Sequence, residues 1–326
     1  MSELGDFSSI ITTDPKVTAV IRIAEKIAAS DVNILLTGES GTGKNILSKA
    51  IHGASKRFAG PFVPVNCLAI PDSLVESELF GHEKGAFTDA KISKMGYFQS
   101  ADRGTIFLDE IGDMTHAAQG KMLQIIEDRQ FKKVGGEKLI SCDVRIIAAT
   151  NKNLAESIEK GEFREDLYYR LREVSLHLPA LRDRREDVLL LIRHYVKHFC
   201  EVYEKPGLTI SDTALNYLAQ HDWPGNIREL RNVVKSAVVL CNENTLWLEH
   251  FPFEIRLQKK ESAHGETTRP ENPMEDFSVD TLMRKHVTET LSHFTWNKKK
   301  TAGALGISRP RLDRYIKKFD LEKRAA

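Results

Sequence analysis

An α/β fold built on an open, mostly parallel sheet is predicted by three stretches that share one layout. Each is a short apolar run that ends in polar or flexible residues. Residues 32–36 (Val-Asn-Ile-Leu-Leu) break into the glycine-rich segment 38–45, residues 105–108 (Thr-Ile-Phe-Leu) close on Asp109 and Glu110, and residues 144–149 (Val-Arg-Ile-Ile-Ala-Ala) close on Thr150 and Asn151. Near-continuous apolar character marks strands covered on both faces, and the helical segments between them make parallel pairing the natural arrangement. Ligands of such sheets sit beyond the carboxyl ends of the strands. Gly38, Asp109, Glu110, Thr150 and Asn151 all fall at such ends.

Taken in order, residues 15–29 place Val17, Val20, Ile21, Ile23, Ala24 and Ile27 at helical spacing, which predicts an amphipathic helix leading into the first strand. The segment that follows the strand reads Gly38, Glu39, Ser40, Gly41, Thr42, Gly43, Lys44, Asn45. A strand that passes through a glycine-rich turn into a helix aims consecutive backbone N–H groups and a helix N-terminus at one point, which suits a polyphosphate. Lys44 is then expected to reach the β and γ phosphates, with Gly38 and Gly43 supplying backbone freedom. Asn45 stands where the G-x-x-x-x-G-K-[ST] pattern has a hydroxyl for Mg²⁺. Residues 62–66 form a short strand whose Pro64 suits a sheet edge, residues 71–80 are helical in pattern, and residues 81–90 are a polar loop.

Asp109 and Glu110 are adjacent, so they cannot face the same way off a strand. One carboxylate is expected to serve Mg²⁺ and the other to polarise an attacking water, the positioning that phosphoryl transfer requires.

Past Pro179 the pattern turns helical over residues 188–203, 211–220 with Ser211 as a cap, and 226–241 after Trp223, Pro224 and Gly225. Residues 256–278 are polar and predict a linker. The expected domains are an α/β part over 1–172, a helical part over 173–254, a linker over 255–278 and a small all-α domain over 279–326. Within the last, residues 297–305 and 309–319 read as two short helices around Gly306, Ile307 and Ser308, with Ser308 as N-cap and Pro310 in the first turn. This fits a helix-turn-helix whose second helix enters the DNA major groove. Arg309, Arg311 and Arg314 are candidates for base or phosphate contact, and Lys298, Lys299, Lys300, Lys317 and Lys318 for phosphates. The charge agrees: the chain carries +1 overall but +7 from residue 297 onward, which points to a polyanion partner for that end alone.

Hydrophobic residues make up 41% and charged residues 29%, and no run approaches the roughly 18 apolar residues of a membrane span. The first residues lack the layout of a signal peptide. A cytoplasmic protein with no membrane partner is expected. Cys67, Cys142, Cys200 and Cys241 are far apart, without C-x-x-C spacing, and predict free thiols rather than disulfides or zinc.

Six ordered motifs carry a resemblance: GESGTGK (38–44), ELFGHEKGAFTDA (78–90), GTIFLDEIGDM (104–114), FREDLYYRL (163–171), LPALRDRREDV (178–188) and WPGNIRELRN (223–232). Together they resemble the bacterial enhancer-binding proteins, the sigma-54-dependent transcriptional activators of the AAA+ class, and the carboxyl end resembles their Fis-type helix-turn-helix. The resemblance implies an AAA+ P-loop sheet with a helical lid subdomain plus a helix-turn-helix domain, and ATP with Mg²⁺ as cofactors. It implies that Lys44 is the Walker A lysine, that Asp109, as Mg²⁺ ligand, and Glu110 are the Walker B pair, and that Thr150 with Asn151 is the first sensor. Asn66 resembles the switch residue that restrains or frees Glu110, Arg164 and Arg170 the arginine fingers that act on a neighbour's nucleotide, and Arg228 the second sensor. Phe87 and Thr88 correspond to the pair that contacts the sigma factor. The implied partners are sigma-54 RNA polymerase, an upstream site on double-stranded DNA, and further copies of the chain, assembled from dimers into a hexamer.

Two departures stand out. Asn45 replaces the family's usual Glu, and Asp89 replaces a glycine of the GAFTGA loop, adding a charge and removing φ freedom at the tip. Because the phosphate loop begins at Gly38, no amino-terminal receiver or ligand-sensing domain is expected, which leaves a separate regulatory protein as one candidate for the input. Two other classes are weighed: a DNA-binding regulator whose ATPase only controls oligomerisation, which an absent Phe87-Thr88 pair would favour, and an AAA+ unfoldase or loader, against which the helix-turn-helix argues.

Overall fold

The computed structural model describes residues 6–88, 90–252, 255, 287–288, 290–291, 294, 296–305, 307–319 and 321. The predicted linker, the start of the carboxyl-terminal domain at residue 279, the turn residue Gly306 and the loop residue Asp89 lie outside them, apart from Ile255. The chain divides into two compact units, residues 1–261 and 262–326.

In the first unit, α1 (Pro15–Ala28) is capped by Asp14, whose carboxylate accepts from the N–H groups of Lys16 and Val17. It leads into β1 (Ile34–Thr37) and α2 (Lys44–Gly53). Next come β2 (Phe62–Asn66), α3 (Val75–Phe80), α4 (Tyr97–Ser100) and β3 (Thr105–Asp109). After α5 (His116–Asp128), the strands β4 (Gln130–Lys132) and β5 (Leu139–Ser141) pair as an antiparallel hairpin. The α/β part ends with β6 (Arg145–Thr150), α6 (Leu154–Glu159), α7 (Glu165–Leu171) and β7 (Val174–His177).

The main sheet has five strands in the order β2-β3-β6-β1-β7, and every neighbouring pair is parallel. Strand alternation explains why β1 reads as an unbroken apolar run. Ile34 and Leu36 pack on one face with Val17, Leu47 and Phe107, while Leu35 packs on the other with Phe80, Met122 and Leu167. Pro64 lies in β2, at the sheet edge, where its missing N–H deprives no neighbour of a bond.

Some expectations shift. Of the helical pattern over 71–80 only Val75–Phe80 is α-helix; residues 71–74 form a turn, Leu74 N–H to Pro71 C=O at 2.8 Å. The β4–β5 hairpin and β7 are absent from the sequence expectations, being short and with few buried side chains, and β7, paired with β1, carries the α/β part past the expected boundary at residue 172 to His177. Arg145 begins β6 fully buried, its guanidinium donating to the carbonyls of Ala28 (2.7 Å) and Ile27 (2.8 Å), and so places a cation at the C-terminus of α1. Burial lowers its pKa to about 10.

The helical part contains α8 (Arg185–Val202), α9 (Asp212–Ala219) and α10 (Asn226–Leu240), with a parallel pair, β8 (Thr209–Ile210) and β9 (Thr245–Leu246). Ser211 caps α9, its hydroxyl accepting from Ala214 N–H at 3.2 Å. Buried Asp187 on α8 accepts from Thr12 Oγ1 (2.7 Å) and Thr13 N–H (2.6 Å), which ties the segment before α1 to the lid. The four cysteines are free, and no helix among the described residues is long and apolar enough to cross a membrane.

In the second unit, α11 (Lys298–Ala304) is capped by Asn297, and α12 (Arg309–Lys318) starts at Ser308, whose hydroxyl makes no capping bond. Leu312, Tyr315, Ile316 and Phe319 share one stripe of α12, and Leu312, Tyr315 and Ile316 pack with Val287, Leu291 and Ala302.

Leu36→Ala empties a fully buried site in the central sheet and is expected to lower unfolding free energy by about 2–5 kcal/mol in urea titration. Leu68→Ala, at a position 66% exposed, should leave it within about 0.5 kcal/mol.

Candidate functional site

The phosphate loop crosses from β1 to α2 with Gly38 at φ 139° and Gly41 at φ 80°. Both positions also exclude a side chain on contact grounds. A Cβ at Gly38 would lie 2.4 Å from the Leu178 carbonyl oxygen, and one at Gly41 would lie 2.4 Å from that of Gly225. Gly43 occupies the N-cap of α2 without a side-chain cap, so the first N–H groups of the helix remain directed at an anion site. Lys44 is buried against this loop, its ammonium donating to the carbonyls of Gly38 (2.7 Å) and Glu39 (3.1 Å). Burial lowers its pKa, and the carboxylates of Glu110 and Asp109 oppose that shift.

The carboxyl end of β3 supplies the acidic pair. Asp109 accepts from the N–H of Glu110 (3.2 Å), and Glu110 adopts a left-handed backbone, φ 54° and ψ 50°, a strained conformation for a side chain of this kind. The bend separates the two carboxylates, yet both line one cleft with Lys44. Glu110 Oε2 accepts from the N–H of Asn151 at 3.1 Å, joining the end of β3 to the end of β6. Thr150 is buried and its hydroxyl oxygen accepts from Lys152 N–H (3.0 Å), which leaves the exposed Asn151 as the accessible member of that pair. Asn66 lies beside Asp109 in the β2–β3 register, but its Oδ1 accepts from Leu68 N–H (3.1 Å) rather than engaging Glu110.

The lid forms the opposite wall. The cleft, about 490 Å³, is lined by Ser40, Gly41, Gly43, Lys44, Asn45, Asp109 and Glu110 from the α/β part, and by His194, Tyr195, His198, Ile227, Arg228, Arg231 and Asn232 from α8 and α10. A smaller apolar recess of about 40 Å³ adjoins it, sharing Gly43, Ile46, Tyr195 and Ile227 and adding Ile10, Val17, Ile21, Leu178 and Leu191. Arg228 Nη1 donates to Ser40 Oγ at 2.7 Å, which places this predicted second-sensor residue on the phosphate loop. Thr42 is buried, its hydroxyl donating to Glu39 C=O (2.9 Å). Glu39, expected among the nucleotide contacts, instead turns its carboxylate to Arg182 and Asn226 of the lid. Sequence reasoning missed His194, Tyr195, His198, Arg231 and Asn232. Their one available signal is helical spacing, 194/195/198 and 227/228/231/232, on two helices whose facing is decided only by packing.

Arg164 and Arg170 do not line this cleft. Arg164 precedes α7 and is paired with Asp166 (2.6 Å), while Arg170 is exposed and paired with Glu127 (3.0 Å). The loop carrying Phe87 and Thr88 is pinned at its base by Glu83 N–H to Val134 C=O (3.0 Å) and closed by Gly85 N–H to Ala90 C=O (2.8 Å). Phe87 sits edge-on to His82, ring centroids 4.9 Å apart, yet remains 39% exposed. In the second unit Arg309, Arg311, Arg314 and Lys317 are all exposed on α12, and Arg311 borders the Leu312 stripe, its guanidinium over the Tyr315 ring at 5.9 Å.

Comparison with known proteins agrees with this geometry. Residues 10–177 match the family described as the Sigma-54 interaction domain, residues 182–268 the AAA+ ATPase lid domain, and residues 283–319 the bacterial regulatory proteins of the Fis family. The chain is 40% identical over 322 residues to the regulatory protein AtoC of Escherichia coli (strain K12), covering 99% of this chain and 70% of AtoC. It is 46% identical over 246 residues to the DNA-binding transcriptional regulator NtrC of Rhizobium meliloti (strain 1021), covering 74% of this chain and 50% of NtrC. The crystal structure of NtrX from Brucella abortus in complex with ATP superposes with a TM-score of 0.73 at 32% identity, over 96% of this chain and 69% of NtrX. A phosphate loop facing an acidic pair, a lid arginine above it and a basic helix-turn-helix thus occur in one chain with these matches, and the chain belongs to the sigma-54-dependent enhancer-binding proteins, transcriptional activators of the AAA+ class with a Fis-type DNA-binding end.

Proposed function

We propose that this chain hydrolyses ATP within a ring of its own copies, a hexamer assembled from dimers, and uses that cycle to remodel closed complexes of sigma-54 RNA polymerase while its carboxyl end holds an upstream DNA site. The observation that carries the reading is a division of parts. Lys44, Asp109, Glu110 and Arg228 meet in one cleft, whereas Arg164 and Arg170 stand outside it. A hydrolytic site in which the charge-neutralising arginines come from a neighbour requires assembly.

Within the site, the Lys44 ammonium exchanges the Gly38 and Glu39 carbonyls for the β and γ phosphate oxygens. The N–H groups of the loop and of the first turn of α2 hold the remaining oxygens. Asp109 is the residue to hold Mg²⁺, and its acidic oxygens beside Lys44 suit that ion. When bound, the ion would supply positive charge against that of the phosphate oxygens. Glu110, oriented by the Asn151 N–H, accepts a hydrogen bond from the attacking water and places it in line with the γ phosphate. In this reading Asn66, next to Asp109 in the register, restrains or frees Glu110 according to the γ phosphate. Arg164 and Arg170 of one subunit neutralise the transition state on the next, an effect worth about 10³–10⁵ in rate for such residues. The turnover is read out through Phe87 and Thr88, which lift from the base near His82 to meet the sigma factor.

Lys44→Ala is expected to abolish ATP binding. Glu110→Gln should keep nucleotide affinity while turnover falls by about 10²–10⁴. Separate titrations of binding and hydrolysis check this, and near-normal turnover by Glu110→Gln would remove the assigned role.

Specific ATPase activity should rise with protein concentration, and Arg164→Ala or Arg170→Ala should flatten that rise. Mixing an arginine variant with Lys44→Ala, each inactive alone, should restore measurable activity; mixed rings without any restoration contradict a shared site.

Phe87→Ala should leave ATP turnover and ring formation within about twofold, since the loop lies away from the hydrolytic residues, yet abolish sigma-54 trapping by a transition-state nucleotide analogue and open-complex formation. Full transcriptional activity in that variant would favour a DNA-binding regulator that does not remodel polymerase.

A further inference from the structure

Four consecutive residues of the phosphate loop, 39–42, are each hydrogen-bonded to the lid. Glu39 accepts from both terminal nitrogens of Arg182, one at 2.9 Å, and from Asn226 Nδ2 at 3.1 Å. Ser40 C=O accepts from the same Asn226 Nδ2 (3.0 Å), Gly41 C=O from Ile227 N–H (3.0 Å), and Thr42 C=O from Arg184 Nη2 (2.9 Å). Asn226 is fully buried in a left-handed conformation, φ 53°, and its Oδ1 accepts from Leu181 N–H at 2.7 Å, so one amide ties the loop to two segments of the lid.

We propose that Glu39 and Asn226, with Arg182, are positioning residues: they form a clasp that joins the phosphate loop to the lid and thereby sets nucleotide affinity. This rests on the nucleotide-hydrolysing reading above and adds to it three residues that do not line the cleft. In a planar trans peptide the N–H points opposite to the C=O, so anchoring the carbonyls of Ser40, Gly41 and Thr42 to the lid turns the N–H groups of Gly41, Thr42 and Gly43 to the other side of the loop. The lid therefore shapes the donor array, and the same contacts hold Arg228 against Ser40. Gly41 is a close point of this joint, since any side chain there would push the Gly225 carbonyl away and open it. Glu39 is suited to a permanent clasp rather than a switch. The Arg182 hydrogen bond, and then that of Asn226, lower its pKa to about 2. A lowered carboxylate pKa gives a contribution present above the ordinary carboxylate value and lost only as pH falls through the lowered one, so the clasp stays charged at neutral pH.

The test measures affinity for a fluorescent ADP analogue and steady-state ATP turnover in the full chain, for Glu39→Gln, Arg182→Gln and the double variant, with Tm as a check on folding. Each single substitution is expected to weaken ADP binding and raise KM for ATP about tenfold, with kcat within about twofold, because a charge-assisted bond outside the cleft is lost. The double variant should be no weaker than the worse single one, since both changes remove one interaction. Unchanged affinity in the singles, or losses that multiply in the double, would overturn the clasp. If Glu39→Gln fails to fold, the exposed Arg182 still gives the answer through Arg182→Gln. A wild-type chain that binds ADP without turning over ATP counts against hydrolysis and leaves the clasp to be decided by the affinities; one that binds no nucleotide overturns both.

Discussion

Parallel pairing of the five-stranded sheet is the constraint on which the site depends. Because β1, β2, β3 and β6 run the same way and in close register, their polar ends emerge together, Thr37 beside Thr150 and Asn66 beside Asp109, with Leu108 beside Ala148 just before them. An antiparallel neighbour would have carried one of these ends to the far side of the domain. Continuous burial of Ile34, Leu36, Ile106, Phe107, Ile147 and Ala149 holds that register, since both faces of each central strand are covered and a one-residue slip would exchange the two faces. The site is thus fixed by side chains that never touch a ligand.

How much of this was legible follows from where each signal lives. The phosphate loop, the Asp109-Glu110 pair and the Thr150-Asn151 end were readable because glycines, a lysine and carboxylates directly after apolar runs carry their meaning in local order. Trp223, Pro224 and Gly225 announced a helix start, and α10 begins at Asn226. The lid wall was not readable beyond Arg228. Tyr195 and Arg231 sit on amphipathic helices whose facing is decided by packing among Leu191, Val234 and Trp223, a long-range property. The Glu39 side chain shows the same limit: inside the loop motif nothing local marks its partner, and Arg182, 143 residues away, takes its carboxylate.

Charge is distributed so that the halves of the chain do different work. Around the cleft, acidic Asp109 and Glu110 stand opposite Lys44, Arg228 and Arg231, a mixed field that fits a polyphosphate together with a cation. On α12 the exposed residues are almost all basic, and Asp313, the acidic exception, is paired with Lys298 of α11 at 2.8 Å. That pairing leaves Arg311, Arg314 and Lys317 as the net charge of the face, which matches a phosphate backbone lined on both sides of a groove.

The cis pairs of the two candidate finger arginines can be judged by magnitude. Arg164 with Asp166 and Arg170 with Glu127 are solvent-exposed ion pairs, and such pairs typically contribute about 0.2–1 kcal/mol. An arginine finger acting on a neighbour lowers a barrier by the equivalent of about 10³–10⁵ in rate, or about 4–7 kcal/mol. Giving up the surface pair is therefore a small term beside the transition-state gain, and the pairs do not hold the arginines back. Each pair also restricts the rotamers of a long side chain, so that under the trans reading proposed above less conformational entropy would remain to be lost on assembly. The same comparison separates these arginines from Arg184 and Arg145, which are buried and bonded to backbone carbonyls: moving either would leave unsatisfied groups in the interior, which suits them to structure and not to exchange between subunits.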